Sequence, residues 1–75
     1  MPHVSIKIFP GKTEEEKQLI ADKIVNDFME LLGYSADPLS VSIEEVSKKE
    51  WKEKVYEAEI MAHEDKLYKK PGYKL

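Results

Sequence analysis

His3-Val-Ser-Ile-Lys-Ile-Phe9, then Pro10-Gly11, then Lys12 and Thr13-Glu-Glu-Glu16, is the stretch that decides the fold. Val4, Ile6 and Ile8 point one way and His3, Ser5 and Lys7 the other, which is the period-2 pattern of a strand. Pro10-Gly11 ends it. Thr13 and Glu16 then form a capping box, with Thr13 as N-cap and Glu16 reaching back to it. Glu14 and Glu15 add negative charge in the first turn, where the helix dipole favours it. Ile20, Ile24, Phe28 and Leu31 follow at helical spacing, and Ala21, Val25 and Leu32 widen the stripe. Gly33 supplies a C-terminal stop. The pattern predicts a strand over 3–9 and a helix over about 13–32.

Beyond a loop from Tyr34 to Pro38, Leu39, Val41 and Ile43 alternate with Ser40, Ser42 and Glu44, giving a second strand. Its phase slips at Glu45-Val46, so the strand is expected to bulge or end there. Ser47-Lys-Lys-Glu50 reads as a polar turn. From Trp51 the chain reads as helical again, with Trp51, Val55, Ala58 and Ala62 on one stripe, as far as Pro71-Gly72. Lys69-Lys70 is then a solvated helix end favoured by the dipole. Tyr68 and Tyr73 are expected to pack the tail against a partner chain. No repeat or linker interrupts residues 1–75, which read as one domain of the α+β class. Strand, long helix, strand suits a right-handed parallel βαβ unit. Two strands and one covering helix are not stable alone in water. One sheet face lies bare and both edges are open, so another subunit is expected to complete the sheet.

Composition points the same way. A chain of 75 residues buries only about 60% of the surface its unfolded form exposes. Without cysteine, no disulfide or thiolate metal site can supplement the core. Charged residues make up 36% of the chain, the net charge is −3, and every basic side chain is lysine. The missing arginine and the acidic balance argue against nucleic-acid binding. No apolar run approaches the ~20 residues of a membrane span. The start lacks a signal-peptide pattern, so a cytoplasmic protein is expected. His3 and His63 are too far apart in sequence to suggest a metal site, and no cofactor is expected.

Pro2 is the candidate for chemistry. Its small side chain is compatible with removal of Met1, which exposes a secondary amine held in a ring. An unprotonated amine there can act as a general base. The reference α-amino pKa is roughly 7.7–8.0, and proline's amine is intrinsically more basic. Burial or a neighbouring cation lowers it, and Lys7 and Lys12 are the candidate neighbours in sequence. A Met-Pro start alone is common and unspecific. His3 reads either as a hydrogen-bonded or interface histidine or as a pocket donor, and His63 as solvated. Glu44 and Glu45 face opposite ways on a strand and are not a ready acid–base pair.

The start through Lys12, the capped amphipathic helix and the second strand together resemble the 4-oxalocrotonate tautomerase family. Pro2-His3, Ile6-Lys7, Phe9-Pro10, Trp51, Ala58-Glu59-Ile60 and Lys69-Lys70-Pro71-Gly72-Tyr73 resemble its phenylpyruvate-type branch in particular. The resemblance covers nearly the whole chain. It implies a homo-oligomer, with the dimer favoured over the hexamer by the long C-terminus, and Pro2 as catalytic acid/base. Lys12 falls where the founding enzymes carry an arginine that grips a substrate carboxylate. Ser40 falls near a second arginine that polarises the carbonyl end of a diacid. Trp51 stands for an aromatic that lines the pocket, and His3 is a further substrate-binding candidate. The arginine losses favour a small 2-oxo acid with one carboxylate, such as phenylpyruvate, or its enol. The competing readings are a non-catalytic self-associating βαβ module and a related hydratase or dehalogenase using the same proline.

Overall fold

Strand β1 (His3–Ile8) and strand β2 (Ser40–Glu45) lie parallel and adjacent, joined by helix α1 (Glu14–Leu32). This computed structural model describes residues 1–75. The chain divides into two units, Met1–Glu45 and Val46–Leu75.

In the first unit the strands pair His3 with Ser40, Val4 with Val41, and so on to Ile8 with Glu45. Parallel partners share a face. One face therefore carries Val4, Ile6, Ile8, Val41 and Ile43. The other carries His3, Ser5, Lys7, Ser40, Ser42 and Glu44. β1 stops one residue before Phe9, and Gly11 makes the following turn at φ 127°, a conformation L side chains avoid. The capping box forms as the sequence predicts. Thr13 Oγ1 accepts the Glu16 N–H at 3.0 Å, and Glu16 Oε1 accepts the Thr13 N–H at 2.9 Å. Gly33 closes the helix in the left-handed region, its N–H donating to the Met29 carbonyl. β2 ends at Glu45, where the alternation slips.

α1 packs against β2. Ala21, Ile24, Val25 and Phe28 are half-buried, but Ile20, Leu31 and Leu32 are exposed, the last two at 81% and 61%. The predicted stripe is thus only partly covered. Length explains the far end: a 19-residue helix runs about 28 Å, whereas a six-residue strand runs about 20 Å. Lys17 ties the near ends together, its Nζ lying 2.8 Å from Glu14 Oε2 and 3.2 Å from Glu45 Oε2.

The second unit departs from the sequence pattern. Residues 47–50 are not a turn: helix α2 (Lys48–Trp51) begins there, with Ser47 as N-cap. Ser47 Oγ accepts the Glu50 N–H at 3.2 Å and donates to Glu50 Oε1 at 3.1 Å. The backbone continues as π-helical turns over Lys52–Ile60 and 3-10 turns over Met61–Lys66. His63 breaks the helical dihedrals and Leu67 is extended. The helical run therefore ends before Pro71, and Lys69-Lys70 lies beyond it, with Lys69 Nζ donating to the Lys70 carbonyl. Hydrogen bonding from i to i+5 turns successive side chains by a different angle from the α pattern. Val55 is buried as its place on the stripe predicts, and so is Tyr56, while Ala58 and Ala62 are exposed. Tyr73 packs on Tyr56 at a centroid distance of 5.6 Å and accepts the Trp51 indole N–H at 3.1 Å. Both aromatic partners lie in its own chain. Tyr68 makes no such packing within the chain and is exposed.

Candidate active site

The site is built where the two strands begin. The Ser40 N–H donates to the Pro2 carbonyl at 3.3 Å, which carries the parallel ladder one residue beyond β1. Pro2 has no N–H within the chain, so it joins the ladder through its carbonyl alone, and it is half-buried. His3 and Ser40 are register partners. Their side chains meet on the polar face, with His3 Nδ1 2.6 Å from Ser40 Oγ. Pro2, His3 and Ser40 thus converge on one end of the sheet.

Lys12 does not join them. It is exposed and directly precedes the N-cap of α1. The Lys17–Glu45 ion pair holds the first turn of α1 at the C-terminal end of β2. The length of β1, roughly 20 Å, separates that end from Pro2. Lys12 acts instead on Glu16, whose carboxyl is held below its ordinary value by the Thr13 backbone and side-chain hydrogen bonds, with the Lys12 charge adding. Lys7 lies well along β1 and faces its register partner Glu44, Nζ to Oε1 3.9 Å. Neither lysine of this segment is the near neighbour of Pro2 that their sequence positions suggest. Trp51 belongs to the second unit, bonded to Tyr73.

Two features were not foreseen. The His3–Ser40 bond was legible in principle, because pairing the two strand starts in parallel places these residues opposite each other. A cavity of about 440 Å³ in the second unit was not. Its lining includes Tyr56, Met61, Leu67, Lys70, Pro71 and Tyr73, and it depends on the helix ending early. No three His, Cys, Asp or Glu side chains are grouped to hold a metal ion. No helix is long and apolar enough to cross a membrane.

The start of the sheet thus brings Pro2 beside a hydroxyl–imidazole pair whose groups can both donate and accept hydrogen bonds. Comparison with known proteins gives the family. The family model described as tautomerase enzyme matches residues 2–53. Tautomerase PptA of Pectobacterium atrosepticum is 42% identical over 74 residues, which is 97% of each chain. The Pectobacterium carotovorum protein of the same name is 43% identical with the same coverage. A solved structure from work on the 4-oxalocrotonate tautomerase isozymes of Methylibium petroleiphilum is 32% identical, with a TM-score of 0.63, covering 67% of this chain and 81% of that one. TomN, a 4-oxalocrotonate tautomerase homologue of the tomaymycin biosynthetic pathway, is 20% identical with a TM-score of 0.64 over 67% and 77% of the two chains, a likeness of fold. The chain belongs to the 4-oxalocrotonate tautomerase family. It is an isomerase of the tautomerase type, built on that family's parallel βαβ unit.

Proposed function

We propose that this tautomerase interconverts the enol and keto forms of 2-oxo acids carrying one carboxylate and an aryl or alkyl tail, phenylpyruvate being the type. The Pro2 amine, freed by loss of Met1, is the base. It takes the proton from the enol hydroxyl and returns one to the carbon next to the carbonyl. A single group serving both ends needs placement more than acid strength. The observation that carries the reading is the pinning of Pro2 to Ser40 at the start of the sheet, within a family match that begins at residue 2.

The working form in this reading is a cytoplasmic homodimer in which residues 1–75 act as one domain. The family match crosses the boundary between the two units. Lys12 grips the carboxylate as a point charge, without the fork of an arginine. Because Lys12 lies at the far end of β1, this reading takes the Lys12 that serves one Pro2 from another subunit. Trp51 contacts the substrate's tail. The charge that develops on the substrate oxygen is met by hydrogen-bond donors, with Ser40 and His3 the candidates.

The test is ketonisation of phenylenolpyruvate by purified protein whose Met1 loss has been verified by mass spectrometry. Pro2→Ala is expected to reduce kcat/KM by about 10²-fold or more, and a halopyruvate is expected to label the Pro2 nitrogen. Undiminished activity in Pro2→Ala, or in protein that retains Met1, overturns the proposal.

A further inference from the structure

We infer that His3 and Ser40 form a donor chain in which the His3 Nδ1–H is given to Ser40 Oγ and the Ser40 hydroxyl hydrogen is thereby left for the substrate oxygen. The inference rests on the reading of Pro2 as the base and names the group that meets the charge Pro2 creates.

The argument begins with hydrogen counting. A serine hydroxyl has one hydrogen and two lone pairs, and a neutral imidazole has one N–H and one bare nitrogen. At 2.6 Å, one hydrogen lies between Nδ1 and Oγ. If it is serine's, the hydroxyl has nothing left to donate and can serve a developing oxyanion no further. If it is the imidazole's, Oγ accepts and its own hydrogen is free. Only the second arrangement helps a reaction that places negative charge on oxygen. That charge also selects it, because each donor in such a chain polarises the next.

Position supports the same assignment. The Ser40 backbone N–H is held on the Pro2 carbonyl, so the hydroxyl is carried by the residue that anchors the base. Both side chains are exposed and open to a ligand. The chain has no arginine, Lys7 faces Glu44, and the Lys12 that another subunit brings is assigned to the substrate carboxylate. The donor chain therefore serves the developing oxyanion, for which no cation remains. It transfers no proton: Nδ1 and Oγ each keep their hydrogen through the reaction, and the proton that moves travels on Pro2. Ser40 is then the oxyanion donor, and His3 a positioning residue that acts through it.

The experiment measures kcat and KM separately for phenylenolpyruvate with Ser40→Ala, Ser40→Thr, His3→Asn and His3→Ala, with Pro2→Ala as reference and oligomer size checked by gel filtration. Ser40→Ala is expected to lose about 10²-fold in kcat, the scale of one oxyanion donor, with little change in KM, while Ser40→Thr keeps the rate. His3→Asn, whose amide N–H can replace Nδ1–H, is expected to keep most of the rate, and His3→Ala to lose about 10-fold. Adding His3→Ala to Ser40→Ala should cost nothing more, as for two groups acting through one contact. An inactive Pro2→Ala beside a Ser40→Ala with wild-type kcat overturns the donor chain and leaves the base standing. A fully active Pro2→Ala overturns the base and the donor chain with it. If Ser40→Ala does not assemble, equal losses in His3→Asn and His3→Ala overturn the donor chain.

Discussion

Two neighbouring side chains, Glu16 and Lys17, respond to pH at opposite ends of the scale. The Thr13 backbone and side-chain hydrogen bonds hold Glu16 below its ordinary value of 4.5. The native state thus binds this proton less readily than the unfolded chain. The stabilisation is present above pH 4.5 and is lost as pH falls through the lowered folded value. Lys17 is shifted the other way. Its hydrogen bonds to Glu14 and Glu45 raise it above 10.5. Its contribution is complete below pH 10.5 and is lost as pH rises through the folded value. We therefore expect Lys17→Gln to lower Tm near neutrality, and the gap from wild type to close in strongly alkaline buffer. Melting curves recorded across that range check it, and a gap that stays constant with pH would assign the loss to packing of the lysine stem. The pair is partly solvated, so added salt should narrow the gap as well.

At the scale of elements, local chemistry marks where helices begin and end. Gly33 sits at φ 73°, and a Cβ built there meets nothing within 4 Å. The cost of Gly33→Ala is therefore conformational rather than steric, about 1 kcal/mol. Gly33→Asn should cost less, because asparagine tolerates the left-handed region. Urea titrations of the two variants give the comparison, and equal stabilities for Ala and Gly would contradict it. The same kind of chemistry explains what was legible in advance. The Thr13–Glu16 box and Gly33 bracket α1 within a residue, and the period-2 runs locate both strands. Ser47-Lys-Lys-Glu50 has the spacing of Thr13–Glu16, yet its polarity suggests a turn because no apolar run follows directly. The stripe through Trp51, Val55, Ala58 and Ala62 presumes 3.6 residues per turn, and side-chain spacing carries no signal for i→i+5 bonding. Of the candidate site, Pro2 and His3 could be proposed from the residues themselves, and Ser40 only through the family resemblance. The separation of Lys12 from them could not, because it depends on which end of the strand each loop leaves.

That separation becomes a statement about the whole molecule. No side chain of the first unit is fully buried, and Leu19, Leu31 and Leu32 lie largely in solvent. Two strands and a helix in that state need a partner surface. In the proposed dimer, the partner that covers the unit also brings the distant Lys12 to Pro2. Each site then takes its base from one subunit and its cation from the other, and a two-fold axis makes two such sites. This arrangement can be tested with two inactive proteins. Pro2→Ala and Lys12→Ala are each expected to be strongly impaired as homodimers. Co-expressed, half of the dimers are mixed, and each mixed dimer holds one site with both groups intact and one with neither. Random assortment should restore roughly a quarter of wild-type activity, with mixed dimers separated by differently tagged subunits. Lys12 serving its own chain's Pro2 would leave every site in the mixture defective, and no activity would return. A Lys12→Ala homodimer with wild-type kcat/KM would remove this lysine from the site altogether, leaving the charge of the carboxylate to another group.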